Sequence, residues 1–79
     1  MTVEVLYFAW VREGVGRGQE HVDPPVEVVS VADLIDWLGH EVLRDKTKLR
    51  AAIDQQFVPL DAPIAGAREV AIFPPVTGG

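Results

Sequence analysis

Residues 30–39 read SVADLIDWLG. Ser30 can cap the first free N–H groups of a helix, and Asp33 falls at its third position, near the positive end of the dipole. Val31, Leu34, Ile35 and Leu38 recur at helical spacing, with Asp33 and Asp36 outside the stripe. Gly39 is a fitting stop. Such a stripe needs an apolar surface to cover, and strands are expected on both sides of it. Residues 3–10, VEVLYFAW, are dense in β-branched and aromatic types and read as a strand. VREGVGRG breaks it, with glycines at 14, 16 and 18 read as a flexible turn. A short strand is expected at residues 20–22, halted by Asp23-Pro24-Pro25. Residues 40–48 are charged and read as loop. LRAAI (49–53) and FVPL (57–60) flank Asp54-Gln55-Gln56 as a hairpin, Pro63 and Gly66 mark a turn, and residues 69–73 form a last strand closed by Pro74-Pro75. The order β, β, α, β, β, β predicts an α+β fold: a mixed sheet of four to five strands with one main helix laid across one face.

Composition bounds what such a fold does. The 79 residues make a single domain, and 48% are apolar, enough for one core. Cysteine is absent. A disulfide framework, a thiolate zinc site and a cysteine nucleophile are therefore excluded, which suits a reducing cytoplasm. MTVEVLYFAW carries no basic leader before its apolar run, so no signal peptide is expected. The longest apolar run is far short of a membrane span. A net charge of −5 argues against nucleic acid, whose binders need a basic face.

The usual catalytic constellations are missing. GVGRG lacks the full phosphate-loop pattern, since position 19 is Gln, and no helix is expected to open from it. His21 and His40 have no acid or thiol cluster in the sequence and read as surface histidines, not metal ligands. Asp33 and Asp36 read as capping and solvated residues, Lys46 and Lys48 as a solvated loop, and Trp37 as packing at the edge of the stripe. No nucleophile, base and oxyanion set can be assembled, so the chain is not expected to catalyse a reaction alone.

The chain ends FPPVTGG. Chain ends are usually frayed, and a disordered stub is the plain reading of such an end. Four stretches say otherwise: VLYFAWVRE at the start, SVADLIDWL in the helix, LRAAIDQQFVPLDAPIAGAREV in the second half and AIFPPVTGG at the close. Together they resemble the small subunit of molybdopterin synthase, apart from residues 40–48. Asp54 departs from that family, many of whose members carry asparagine there. The resemblance implies a ubiquitin-like β-grasp fold over residues 1–73 and a flexible tail, residues 74–79 (Pro74, Pro75, Val76, Thr77, Gly78, Gly79). It implies a sulfur carrier in molybdenum cofactor biosynthesis. An E1-like adenylyltransferase would use ATP to activate the Gly79 carboxylate, and a sulfur donor would convert it to a thiocarboxylate. The large synthase subunit would then pass that sulfur to cyclic pyranopterin monophosphate. No cofactor is expected on the chain itself. A carrier for another pathway, such as that of thiamine, and a ubiquitin-like protein modifier share the tail chemistry and stay open.

The residues fit that chemistry on their own terms. Glycine has no Cβ, so a Gly-Gly end threads a channel too narrow for other residue pairs. Pro74 and Pro75 restrict φ and remove two donors, ending the sheet and stiffening the exit. Alternation adds a surface. With the Val and Ile positions of the strands facing the helix, Phe8, Phe57 and Phe73 fall on the opposite face with Leu6. An apolar patch of that kind usually marks a partner surface, and these four residues are the expected interface.

Overall fold

The computed structural model describes residues 2–75. In chain order the elements are β1 (Val3–Tyr7), α1 (Ala9–Val15), β2 (Gln19–Val22), α2 (Val31–Leu38), β3 (Arg50–Ile53), β4 (Gln56–Val58) and β5 (Glu69–Phe73). Two short 3-10 turns, Glu41–Leu43 and Lys46–Lys48, lie between α2 and β3. The five strands form one sheet in the order β2-β1-β5-β3-β4. The first and last strands run parallel at its centre, and every other pairing is antiparallel. This is the expected mixed sheet with one main helix.

The helix read from residues 30–39 forms as its sequence dictates. Asp33 N–H donates to Ser30 Oγ at 3.1 Å, and Asp33 Oδ2 accepts from the backbone N–H groups of Ser30 and Val29, each at 3.2 Å. This reciprocal box satisfies donors that a helix start otherwise leaves open. At the other end Gly39 takes φ 71°, the left-handed value that closes a helix. The stripe Val31, Leu34 and Ile35 is buried in one cluster with Val3, Val5 and Tyr7 of β1 and Val70 and Ile72 of β5. Alternation therefore aims the odd positions of β1 and the even positions of β5 at the helix.

Three expectations are corrected. The first strand stops at Tyr7 rather than Trp10, and the glycine-rich stretch is no flexible turn: Ala9–Val15 is helical. The chain bends from strand to helix at Ala9, whose φ of 54° is rare for a residue with a Cβ. Tertiary contacts hold this short helix. Val11 is fully buried, and Gly14 lies so close to Val42 that an added Cβ would sit 2.4 Å from its Cγ2. Gly16, at φ 92°, caps its end. The loop expected at 40–48 is partly ordered by the two 3-10 turns, which bury Leu43.

Candidate functional site

Residues opposite each other on neighbouring strands point to the same side of a sheet. Leu6 stands opposite Ala71, Ala71 opposite Ala52, and Ala52 opposite Phe57, so one apolar row crosses four strands on the face away from α2. Phe73 stands opposite Arg50 on that same side. Phe8 follows inward-facing Tyr7, with its N–H donating to the Ile72 carbonyl at 3.3 Å, and so projects outward beside Leu6. The Phe57 and Phe73 rings meet with centroids 5.6 Å apart. Phe57 is 79% exposed and Phe8 49%. A solvated sheet face is ordinarily polar; here it carries Leu6 and three phenylalanines.

The face ends where the tail begins. Ile72 is fully buried, Phe73 half-buried, and Pro74 follows at once. Pro74 cannot donate to a further ladder bond, so β5 stops opposite Arg50, the first residue of β3. The four tail residues Val76, Thr77, Gly78 and Gly79 lie outside the described residues.

The remaining singled-out residues sort by their neighbours. His21 is exposed and 3.1 Å from Glu4. Lys46 is not simply solvated: its Nζ donates to Asp36 Oδ1 at 2.5 Å, tying the second 3-10 turn to α2. Trp37, expected as packing, leaves 43% of its surface exposed, and Trp10 leaves 40%.

His40 corrects the sequence reading. It is half-buried, its ring edge-on to Tyr7 at 5.9 Å, and its Nε2 lies 2.7 Å from Glu20 Oε2. The Tyr7 hydroxyl donates to the same oxygen at 2.5 Å. A strand in the sheet's centre, its neighbour and the turn after α2 are thereby joined through one carboxylate. Burial, with Glu20 beside it, holds the Tyr7 phenol well above its ordinary pKa. Burial also pulls Glu20 upward. The bonds from Tyr7 and His40 and the His40 and Arg17 charges outweigh that pull, so its carboxyl titrates below the ordinary value. A carboxyl lowered in the folded state stabilises the fold at pH above its unfolded pKa of about 4.3, and that stability is lost as pH falls through the folded value. Glu20→Gln is therefore expected to be less stable than the parent at pH 7, with the gap closing towards pH 3. Urea midpoints of both proteins across that range check it. A gap that stays constant would mean that the carboxylate's charge contributes nothing.

The model described as the ThiS family matches residues 5–79. The chain is 40% identical over 80 residues to the molybdopterin synthase sulfur carrier subunit of Escherichia coli K12, covering 98% of this chain and 99% of that one. Among solved structures, SAMP1 from Haloferax volcanii superposes with a TM-score of 0.76 at 26% identity, covering 100% of both chains. The putative molybdopterin converting factor subunit 1 from Pyrococcus furiosus gives 0.75 at 27%, covering 96% of this chain and 99% of that one.

Proposed function

The chain belongs to the ThiS family, and we propose on that premise that it is the sulfur carrier subunit of a molybdopterin synthase. The observation that carries the proposal is the meeting of the phenylalanine face with the start of the tail. Phe73 is the last residue of the central strand β5 and a member of the face, and Pro74-Pro75 follow without a spacer. A partner that covers the face receives the tail at a fixed place and heading. Full-length likeness to a sulfur carrier subunit supports the pathway.

The chemistry belongs to the Gly79 carboxylate, which is a poor electrophile until activated. An adenylyltransferase joins it to the AMP moiety of ATP and releases pyrophosphate. Sulfur from a donor attacks the acyl carbon and AMP leaves; sulfide-level sulfur gives the thiocarboxylate directly, and a persulfide donor gives an acyl disulfide that a thiol then reduces to it. The large synthase subunit takes the loaded tail and passes the sulfur to cyclic pyranopterin monophosphate; two rounds complete the dithiolene that holds molybdenum. The chain itself contributes an unhindered end, a stiff exit and a docking face. Leu6, Phe8, Phe57 and Phe73 form that face. The cytoplasm, reducing and supplied with ATP, suits this work and a cysteine-free chain.

A carrier acts once per loading. The thiocarboxylate form, mixed with the large subunit and the pterin precursor, is expected to deliver one sulfur per chain and stop, and the isolated chain to turn over nothing. Product counted against carrier by mass spectrometry tests both. Multiple turnovers by the isolated chain would contradict the proposal, as would transfer only to lysine side chains of other proteins, which is the outcome a ubiquitin-like modifier would give.

A further inference from the structure

Seven cationic side chains stand on this acidic chain. Arg17, Arg44, Lys46 and Lys48 each have a carboxylate within 4.0 Å. Arg12, Arg50 and Arg68 enter no ion pair among the described residues. Of these three, Arg50 stands directly opposite Phe73 and, with Phe57 and Val58, lines a shallow hollow of about 220 Å³ at the tail exit. Its Nη1 donates to the backbone carbonyl of Leu49 at 2.8 Å. A guanidinium carries five N–H donors. One bond steadies the side chain and leaves donors for a visitor.

That position has a consequence for docking. A surface that covers Phe57 and Phe73 also covers Arg50 and strips its water. A guanidinium buried without a counter-charge is costly, and the arrangement is favourable only when an anion with matching geometry arrives with the covering surface. A carboxylate meets a guanidinium through two parallel bonds, which fix direction as well as attraction. Resting on the sulfur-carrier reading above, we propose that Arg50 is a specificity anchor of the docking face, taking an aspartate or glutamate side chain of the large synthase subunit. The chain's own Gly79 carboxylate is the rival occupant. Pro74 and Pro75 disfavour it: with φ fixed at both positions, fewer backbone conformations could return that carboxylate to Arg50. The anchor also sets partner choice. A surface presenting an apolar patch with a cation at this place is rejected, which rings alone cannot do.

The test is binding of the full-length chain to the cognate large subunit by calorimetry, with Arg50→Gln, Arg50→Lys and Phe57→Ala beside the parent and melting temperatures for all four. Arg50 and Phe57 are both exposed, so each variant is expected to melt with the parent. Arg50→Gln is expected to weaken binding about tenfold or more. Arg50→Lys should restore only part of the loss, since an ammonium cannot pair bidentately. The parent's affinity should fall with added salt more steeply than that of Arg50→Gln. Unchanged affinity for Arg50→Gln, with Phe57→Ala weakened, overturns the anchor and leaves the docking face standing. Unchanged affinity for both overturns the face as well. Tighter binding by Arg50→Gln also overturns the anchor and points to the Gly79 carboxylate resting on Arg50 in the free protein.

Discussion

Deleting Gly79, or adding one residue after it, is expected to abolish molybdopterin formation and leave the melting temperature where it was. Among the described residues the buried core ends at Ile72 and the last strand at Phe73, so the fold is complete before the tail begins. The tail matters through reach and slimness. One residue of extended chain moves the carboxylate by about 3.5 Å. A displacement of about 1 Å at a reacting group can cost roughly a hundredfold in rate, so on the carrier proposal either change is expected to put the end group out of range of both activation and transfer. A side chain after Gly79 would also widen an end that two glycines keep narrow. Reconstituted synthesis with the adenylyltransferase, the large subunit and each variant gives the readout. An extended chain that still supports product formation would contradict the carrier role of the Gly79 carboxylate.

Phe57→Ala is expected to weaken binding to the large subunit by about 2 kcal/mol or more, roughly thirtyfold, with little change in melting temperature. The asymmetry follows from geometry. Phe57 is 79% exposed in the free chain and touches Phe73 at the edge of β4, so its truncation opens no core cavity. A buried phenylalanine would cost about 3–5 kcal/mol of folding stability instead, a large share of a small domain's total. The two quantities are measured on one preparation, by calorimetric binding and by thermal denaturation. A melt that collapses with unchanged affinity would make the ring part of the fold rather than of an interface. Phe8→Ala should shift in the same direction. On the sulfur-carrier proposal an adenylyltransferase takes the same tail from the same direction, so an excess of large subunit is expected to slow loading of the carrier.

Residues whose partners are near in sequence were legible; residues whose partners the sheet brings in were not. The helix Val31–Leu38 is legible because its cap, stripe and stop are all local: Ser30, Asp33 and Gly39 act on their own backbone. The turn of the β3–β4 hairpin is legible because its residue types are local, while the bonds that tie it to the start of β5 are not. Asp54 and Gln55 turn it with φ of 48° and 72°, and Asp54 Oδ1 accepts from the N–H groups of Arg68 and Glu69. An asparagine amide oxygen can accept the same two bonds, so the aspartate here keeps the turn's function. The helix Ala9–Val15 is another matter. It has no side-chain cap and carries β-branched and glycine residues at Val11, Gly14 and Val15. It exists because Val11 is buried and Gly14 meets Val42, neither of which a local pattern reports. The Glu20 junction was hidden in the same way. Tyr7, Glu20 and His40 carry no shared motif, and only the pairing of β1 with β2 and the turn after α2 bring them to one oxygen. The phenylalanine face lies between these cases. Alternation within each strand is local, while the register that sets Phe73 opposite Arg50 and brings its ring against Phe57 is not.

On the sulfur-carrier proposal this chain carries sulfur on its own last residue. The direct measurement is the intact mass of the protein after incubation with its adenylyltransferase, ATP and a sulfur donor, followed by fragmentation of the C-terminal peptide. A gain equal to the difference between one sulfur and one oxygen atom is expected, placed on Gly79 and absent when ATP is withheld. An unchanged mass, or the same gain placed on any other residue, would contradict it.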